Sequence, residues 1–567
     1  MRYLYLSVLL LFTGPLANAQ WALYNIKNSV LMVSVQGDGS IGMFTRDSIS
    51  RPLMFSQNLW MSGMDPQGQH DYSAQAYYFQ NNYHAVGPVS TSTNGNPIYN
   101  TIHILRSSMI DSALNGYYGS NLPQEIIDWP AHGDTAYDEP YRLAPFHDLN
   151  FNGTYEPQLG EVPAVKGDIS ATFIFNNALS PQSGSVNATV VGTVYMYDRG
   201  NYLDSMYFVD YQVIREDQDS LFDFRASIFS DYDVGSGWDD LVGTLVDLNA
   251  TFGYNGTAND TSGPWGFGRN YPTVATVILK GLNAPFNDGL DNDRDGCTDG
   301  VRDSSGNCVP ETGYDREYWR LSNSIYYFNG TIGFAKNPVS SQDHFNYFRN
   351  TWVDGTQIAY DSTAGFLGLS NSDGHGFGTR TNFVFPGNSI DPTGVFPFAP
   401  SQDINWFQSP DDENDQRVLA GLGTTTLYGD DRFQLSFAQA YVLSDSARGF
   451  SDHGIGHLID FLTRHRSSMD SIWKWNYLDA FLSLDENPVK VPTLRVGVDF
   501  KNSEWILQNN TKGPRSFEII DLFGRIVKQG TLDEGEVKRI DTYQFASGVY
   551  IIRTDDGWTI RIPTYRP

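Results

Sequence analysis

The sequence predicts an all-β, multidomain protein made of sandwich-like units. Two features of the composition carry this prediction: aromatic residues make up 14% of the chain, and glycine occurs 54 times in 567 residues. Tyrosine, phenylalanine, valine and threonine favour pleated surfaces, whereas glycine, asparagine, aspartate and proline favour turns. The third feature is a series of short apolar runs, several alternating with period two, between clusters of these turn residues.

The predicted strands follow one another from about residue 20 to residue 445. The clearest is Met206–Ile214, in which every second residue from Tyr207 to Val213 is apolar or aromatic. Other strands are predicted at residues 31–35, 76–79, 102–105, 189–197, 274–279, 433–437 and 440–443. A single short helical segment is predicted at about 455–480, where apolar positions recur at helical spacing, at Leu458, Phe461, Leu462, His465, Met469 and Ile472.

We divide the chain into four units. Residues 1–19 form a signal peptide, 20–215 a β-rich domain, and 216–490 a second β-rich domain with long acidic loops and the helix. Residues 493–567 form a last unit, after a linker marked by two prolines. Its short strands and glycine turns recur at intervals of about ten residues, which predicts an Ig-like β-sandwich.

The first residues have the pattern of a secretory signal peptide. Arg2 supplies a positive start, Leu4–Phe12 is an almost unbroken apolar run, and Ala17-Asn18-Ala19 offers small side chains to a signal peptidase. The apolar run is too short to cross a bilayer, and we find no second stretch of about 18 apolar residues. We therefore expect a secreted chain that is soluble or attached to a membrane by other means.

Charge and cysteine content limit the classes of partner. The formal net charge is −28, which argues against a nucleic-acid-binding protein that works by neutralising phosphates. Cys297 and Cys308 are the only cysteines, and in an oxidising compartment we expect them to form a local disulfide. Closing so short a loop stabilises the fold by roughly 3 kcal/mol in the chain-entropy description.

The segment from Asp291 to Asp299 has the spacing of a calcium-binding loop. Calcium takes six to eight oxygen ligands, which such a loop supplies from alternate positions, one through a backbone carbonyl, with glycine at the sixth position for the turn. Arg302 stands where a bidentate acid is usual, so Asp303 or Glu311 would have to replace it. The alternative is a solvated acidic turn. The predicted ligands are Asp291, Asp293, Asp295, Cys297 through its carbonyl, and Asp299.

A second loop has the same spacing with fewer charges, and Glu161 is placed to complete it. We expect weaker calcium affinity here. The alternative is a turn rich in Asp and Asn whose side chains are satisfied by their own backbone. The predicted ligands are Asp148, Asn150, Asn152, Thr154 and Glu156.

A third acidic group combines Asp231 and Asp233 with Asp239 and Asp240, and Trp238 lies beside the second pair. Asp231 and Asp233, two residues apart on an extended segment, point in the same direction. Paired acids also serve glycoside hydrolysis when the distance between them is suitable. We favour a calcium site or structural hydrogen bonding over catalysis, and we predict no catalytic residues.

The last unit resembles the type A sorting domain of the type IX secretion system of Bacteroidetes. The matching segments are Ile519-Ile-Asp-Leu-Phe-Gly524, with its Asp-Leu-x-Gly turn, and Ser547-Gly548-Val-Tyr550. Gly524 and Gly548 suit tight turns, and Tyr550 suits a sandwich core. The resemblance implies recognition by the type IX machinery, export to the cell surface, frequent cleavage of the domain, and attachment to surface lipopolysaccharide. A Pro-Asn-Pro opening and a basic tail, both usual in that family, are absent.

The body resembles a family of uncharacterised secreted Bacteroidetes proteins, through dispersed segments such as 58–65, 148–157, 230–235, 287–296 and 415–423. That family implies no reaction. Two functional hypotheses therefore stand: a calcium-stabilised surface or secreted protein with a structural, adhesive or ligand-binding role, bound to a glycan or protein ligand, and, as the alternative, a secreted hydrolase acting on glycans. We lean against an enzyme.

Overall fold

Antiparallel strands make up most of the regular secondary structure in the computed structural model of the chain. The predicted signal peptide and Asn150 lie outside the residues that the structure describes. Those residues are 21–24, 29–77, 83–88, 98–149, 152–177, 184–215, 219–257, 259–260, 265–285, 288–302, 307–310, 317–360, 379–386, 415–429, 431–443, 454–475, 494–499, 504–509, 513–521, 525–542, 544–545, 548–554 and 559–564.

The body contains strands β1–β21 and helices α1–α4 within these ranges. The strands are β1 Trp21–Tyr24, β2 Leu31–Gln36, β3 Ile41–Thr45, β4 Pro52–Met64, β5 His70–Ser73, β6 Ala85–Val86, β7 His103–Arg106, β8 Ile169–Asn176, β9 Ala188–Met196, β10 Met206–Arg215, β11 Leu221–Asp231, β12 Asp240–Leu245, β13 Ala250–Asn255, β14 Pro272–Lys280, β15 Gly300–Arg302, β16 Cys308–Pro310, β17 Asn323–Phe328, β18 Ala359–Tyr360, β19 Thr379–Arg380, β20 Gln416–Leu427 and β21 Arg432–Leu443. The helices are α1 Ser107–Leu114, α2 Gln124–Ile127, α3 Ser341–Phe348 and α4 Ile455–Trp475.

Two large sheets form the body. Among the described residues, the first has eight strands in the order β1-β2-β3-β4-β11-β20-β17, with β5 paired to β4. The second has nine, in the order β12-β13-β14-β21-β10-β9-β8-β6, with β7 paired to β8. Strands from before and after residue 215 share both sheets, so that position is not a break between sheets. The division of the body into domains stays a prediction.

The largest apolar core joins residues of both sheets. Leu59 and Ile228 of the first sheet share it with Val209, Val274 and Phe437 of the second. This is the arrangement of a β-sandwich, in which the inner faces of two sheets exclude water from each other. The all-β prediction is confirmed.

The outer face of the nine-stranded sheet is also covered. Leu458 and Leu462 of α4 are buried there in one apolar cluster with Phe208 of β10 and Phe252 of β13. Another cluster places Ile110 of α1 against the β8–β10 part of this sheet. Every residue of β10 is buried as a result, although its sequence alternates. The predicted helix is present as the 21-residue α4, which lies within the range of about 455–480 expected from the sequence.

The C-terminal unit has its own core. Its strands are β22 Leu494–Asp499, β23 Glu504–Asn509, β24 Arg515–Asp521, β25 Ile526–Leu532, β26 Val537–Asp541, β27 Gly548–Thr554 and β28 Thr559–Thr564. They form one sheet in the order β22-β23-β26 and another in the order β25-β24-β27-β28. Trp505, Ile519 and Tyr550 meet in the core, where the rings of Trp505 and Tyr550 lie 5.5 Å apart. Gly548 opens β27, and Gly524 lies outside the described residues.

Other predicted strands are present with small shifts in their ends. The segment predicted at 76–79 differs, because Ala76 and Tyr77 lie beyond the end of β5 in irregular backbone, and the next residues are outside the described ranges. None of the helices in the described part of the chain combines the length and apolar character needed to cross a membrane.

Candidate functional site

The first of three acidic sites is the 291 loop, residues 288–302, between β14 and β16. Asp291 holds the turn, because its Oδ1 accepts the N–H of Asp295 at 3.0 Å and its Oδ2 accepts the N–H of Gly296 at 2.9 Å. Gly296 has a φ of +92°, a left-handed conformation that favours glycine. Asp293 Oδ1 also accepts the N–H of Asp295. These local hydrogen bonds turn the carboxylates of Asp291 and Asp293 toward the inside of the loop.

Glu317 completes this group from outside the loop. Its side chain is fully buried and accepts the backbone N–H groups of Asn292 and Gly300, each at 3.4 Å. Carboxylate oxygens of Asp291, Asp293 and Glu317 lie within 4.8 Å of one another. Three carboxylates at this distance could hold a metal ion.

Two of the other predicted ligands are engaged elsewhere. The Asp295 carboxylate accepts the N–H groups of Cys297, at 2.8 Å, and Arg302, at 3.2 Å. Asp299 Oδ1 accepts the N–H of Gly289 at 2.8 Å. Neither belongs to the convergent group. The predicted substitutes for the missing bidentate acid, Asp303 and Glu311, lie outside the described residues.

The disulfide between Cys297 and Cys308 is present, as predicted, with a sequence separation of 11. It fastens the end of the 291 loop to β16, which pairs with β15. The covalent link therefore limits how far the loop opens.

The 291 loop is also tied to α4. Arg466 of α4 donates to the carbonyl of Arg294 at 2.7 Å. Arg320, which precedes β17, forms an ion pair with Asp470 of α4 at 3.0 Å and lies close enough to Asp293 to lower its pKa. The loop thus connects a helix and a sheet of the body.

Burial dominates the electrostatics of this group. It raises the pKa of Asp293 to about 6 and the pKa of Glu317 to about 7, because the charged forms lose hydration. Neighbouring carboxylates raise both values further. A bound cation would reverse this effect by stabilising the ionised forms.

The second site, the 148 loop of residues 148–161, repeats the hydrogen bonds of the first. Asp148 accepts the N–H groups of Asn152, at 3.2 Å, and Gly153, at 2.7 Å. Glu161 is buried and accepts the N–H groups of Leu149, at 3.1 Å, and Glu156, at 2.7 Å. Burial raises the pKa of Glu161 to about 7.

Three other predicted ligands in the 148 loop bond to one another or to a neighbour. Asn152 accepts the N–H of Thr154 and donates to Glu156 Oε2, at 2.7 and 2.6 Å. The Thr154 hydroxyl lies 3.1 Å from that of Tyr141. These contacts are what the alternative of a self-satisfied turn expects, so the 148 loop is the weaker candidate.

The third site is the 231 cluster, formed by Asp231, Asp233 and Asp415, whose carboxylate oxygens lie within 4.8 Å of one another. Tyr77 donates its hydroxyl to Asp231 Oδ2 at 2.6 Å. Arg417 pairs with Asp415 at 3.0 Å and with Asp231 at 3.4 Å. Burial raises the pKa of Asp231 to about 7 and that of Asp233 well above its usual range, and neighbouring carboxylates add to both shifts.

Sequence reasoning did not find Glu317, Asp415, Tyr77 or Arg417. The spacing of a calcium-binding loop concerns residues within the loop, so it does not point to Glu317, which follows the disulfide in the sequence. Asp415 and Arg417 do open the segment 415–423, one of those that carry the resemblance of the body to secreted proteins. This segment was the part of the sequence that could have pointed to Asp415 and Arg417.

Comparison with known families identifies the C-terminal sandwich. Residues 495–561 match the family described as "Secretion system C-terminal sorting domain". The chain is a secreted, type IX-sorted protein of the Bacteroidetes type, displayed at the cell surface. The sorting domain implies an interaction with the type IX machinery.

No curated protein matches the chain. Among solved structures, a polysaccharide lyase is similar with a TM-score of 0.22 and 7% sequence identity, over 95% of this chain and 47% of the lyase. The chain thus spans about half the length of that structure, and a similarity this low carries no argument about the body.

Proposed function

We propose that the protein is a calcium-stabilised β-sandwich at the cell surface, with a structural, adhesive or ligand-binding role. The observation that carries this proposal is the convergence of Asp291 and Asp293, in a loop fastened by a disulfide, with Glu317 from outside that loop. In this proposal the sorting domain is removed after export and the body is attached to surface lipopolysaccharide.

The chemistry of the donors supports calcium among the metals. The group offers only carboxylate oxygens, and hard cations prefer oxygen ligands. The loop and Glu317 come from separate parts of the chain, which suits the variable geometry of calcium better than the strict octahedron of magnesium.

Charge supports a cation as well. The three carboxylates and the neighbouring Asp295 lie near two guanidinium groups, those of Arg294 and Arg320, and Arg320 is shared with Asp470. Two of the three, Asp293 and Glu317, are almost fully buried. Burying uncompensated charge is costly, and a divalent ion would offset that cost.

Thermal unfolding with and without calcium tests the proposal. At a calcium concentration 100-fold above the dissociation constant, one site stabilises the folded state by about 2.7 kcal/mol. We expect calcium to raise the melting temperature of the wild type. Glu317→Gln should lose most of this increase, because the substitution keeps the side-chain volume and removes one ligand charge.

The matched control is Glu125→Gln, at an exposed position of α2, which should respond to calcium like the wild type. Glu161→Gln in the 148 loop should lose a smaller part of the increase. The proposal fails if a chelator leaves the melting temperature of the wild type unchanged.

A glycan-active hydrolase is the second candidate, and one observation favours it. Asp231 and Asp233 bring carboxylate oxygens within 4.8 Å, and Trp238, in the same loop, is 66% exposed. Close carboxylates beside an exposed aromatic ring are the parts that glycoside hydrolysis uses. Release of reducing ends from a polysaccharide panel, abolished by Asp233→Asn, would support this candidate.

Binding screens separate the roles open to the first candidate. A glycan array and a panel of surface proteins, each probed with and without calcium, would show whether the body has a ligand. Calcium-dependent binding of one ligand class would support the adhesive role.

A further inference from the structure

The geometry points to a second divalent-cation centre in the 231 cluster, where Asp231, Asp233 and Asp415 would bind one ion of the calcium class. This centre is independent of the 291 loop and uses ligands from distant parts of the chain.

Strand pairing fixes two of the three ligands. Asp231 is the last residue of β11, and Asp415 immediately precedes β20. The two strands are antiparallel neighbours in the first sheet, with Asp231 opposite Arg417. Asp231 and Asp415 therefore reach the same end of the sandwich through strand pairing, and only the third ligand, Asp233, lies in the loop after β11.

The loop after β11, which carries the third ligand, Asp233, has glycines where carboxylates pack against its backbone. A Cβ added at Gly237 would lie 2.2 Å from Asp233 Oδ1. Gly235 has a φ of +77°, and a Cβ there would lie 2.0 Å from Asp260 Oδ2. Both carboxylates thus pack directly against backbone that carries no side chain.

The charges of the cluster do not balance. Arg417 pairs with Asp231 and Asp415, so three carboxylates against one guanidinium leave two negative charges. Asp240 and Asp260 add negative charge beside the same loop, since Asp240 Oδ2 accepts the N–H of Val234 and Asp260 Oδ2 faces Gly235. A divalent cation is the ligand that matches this excess.

Asp231 supplies an observation that is independent of the cluster's composition. Its side chain is 2% exposed, and Tyr77 and Arg417 both use Oδ2. No donor among the described residues reaches Oδ1, which is also buried. A buried carboxylate oxygen without a donor is strongly unfavourable, whereas a metal bound to it supplies the missing positive charge.

The same contacts argue against catalysis by this pair of acids. Asp231 is buried and held by both a tyrosine hydroxyl and a guanidinium. An acid or nucleophile of glycoside hydrolysis must reach the glycosidic bond. Asp233 and Asp415 are more exposed and leave the outer side of the bound ion open to water or to an oxygen of a ligand.

Calcium stoichiometry, measured by equilibrium dialysis on the full secreted chain, tests the centre. We expect Asp415→Asn and Asp233→Asn each to bind one ion fewer than the wild type, and Glu317→Gln to lose a different ion. The double variant Asp415→Asn, Glu317→Gln should then lose two. Asp111→Asn, at an exposed position of α1, is the matched control and should bind the wild-type number.

Asp233→Asn gives a second readout that does not depend on counting ions. The substitution leaves both Arg417 ion pairs in place. In chelator it should raise the melting temperature, because it relieves repulsion between carboxylates. In calcium it should lower the melting temperature relative to the wild type, because it removes a ligand. This reversal of sign is specific to a cation site.

Two results would overturn the inference. One is wild-type stoichiometry in both Asp233→Asn and Asp415→Asn while Glu317→Gln loses an ion, which would leave the proposal for the 291 loop intact. The other is a stabilising effect of Asp233→Asn in calcium as well as in chelator. Loss of the ion from Glu317→Gln alone tests the first proposal, so the two proposals fail separately.

Discussion

Glu161 and Glu317 have equivalent hydrogen bonds in two loops of different length. Each is buried, and each accepts the N–H of the residue after Asp148 or Asp291 and the N–H of a residue eight or nine positions after that aspartate. Asp148 and Asp291 each accept the N–H groups of the residues four and five positions further along the chain. A buried glutamate therefore closes the turn in both loops.

Histidine burial makes stability depend on pH. His84 lies between the carbonyl of Asp38 and the hydroxyl of Ser73, each at 2.8 Å, and burial lowers its pKa to about 4. The unfolded chain takes up this proton near pH 6.5, so the stabilising contribution is present above pH 6.5 and is lost as the pH falls to 4. The loss amounts to about 3 kcal/mol, at 1.36 kcal/mol for each pKa unit.

We predict that His84→Gln lowers stability at pH 7 and makes its decline from pH 6.5 to 4 shallower than in the wild type. Denaturant unfolding at a series of pH values measures both effects. His457→Gln, on the first turn of α4, is the control. Parallel pH profiles for His84→Gln and the wild type would contradict the prediction.

Local spacing predicted the residues whose roles are set within a few positions. Asp291 and Asp293 converge as their spacing in sequence predicted, because a turn with glycine at its sixth position brings them together. Asp295 and Asp299 accept backbone N–H groups instead. Asp415 reaches Asp233 only through the pairing of β11 and β20, which no local pattern encodes.

At the scale of elements, the predicted strand Met206–Ile214 shows where sequence patterns lose information. Alternation placed Tyr207 and Val213 on one face, and both lie in the main core. The opposite face carries Phe208 and Ile214, which are buried in two other clusters. A strand covered on both sides need not alternate. The covering elements, α4 and the α1 region, come from distant sequence.

Docking of α4 gives the prediction for this scale. Leu462 is fully buried against the second sheet, whereas Ile459 on the same helix is 38% exposed. Leu462→Ala should destabilise the body by about 2–5 kcal/mol, the usual cost of such a truncation in a core. Ile459→Ala, the control, should change stability by about 0.5 kcal/mol or less.

Leu462→Ala should also weaken calcium binding at the 291 loop. Arg466 and Asp470 on α4 hold the loop and Arg320 in place, so a loosely docked helix leaves the loop less ordered. Calcium titration of Leu462→Ala measures this coupling. Unchanged affinity, together with the expected loss of stability, would show that the loop is ordered without the helix.

At the scale of the whole molecule, the body and the C-terminal sandwich have different roles. The body shares its main core between two sheets that draw strands from both sides of residue 215. The C-terminal sandwich has a separate core that contains residues 494–552 alone. Separate cores allow separate folding, because each unit buries its own apolar surface.

Deletion of residues 494–567 is therefore predicted to abolish surface delivery and to leave the body folded. In a host with the type IX system, the truncated chain should accumulate in the periplasm, on the inner side of the outer membrane. Fractionation and surface proteolysis measure this. Its melting temperature and calcium response should match those of the full chain, since none of its core residues is lost.

A reporter fused to residues 494–567 should reach the surface, and the variant Tyr550→Ala, which empties the centre of the sandwich core, should reduce delivery. Surface delivery of the truncated chain would contradict a sorting role for this domain. A truncated body that no longer folds would instead show that the two cores depend on each other.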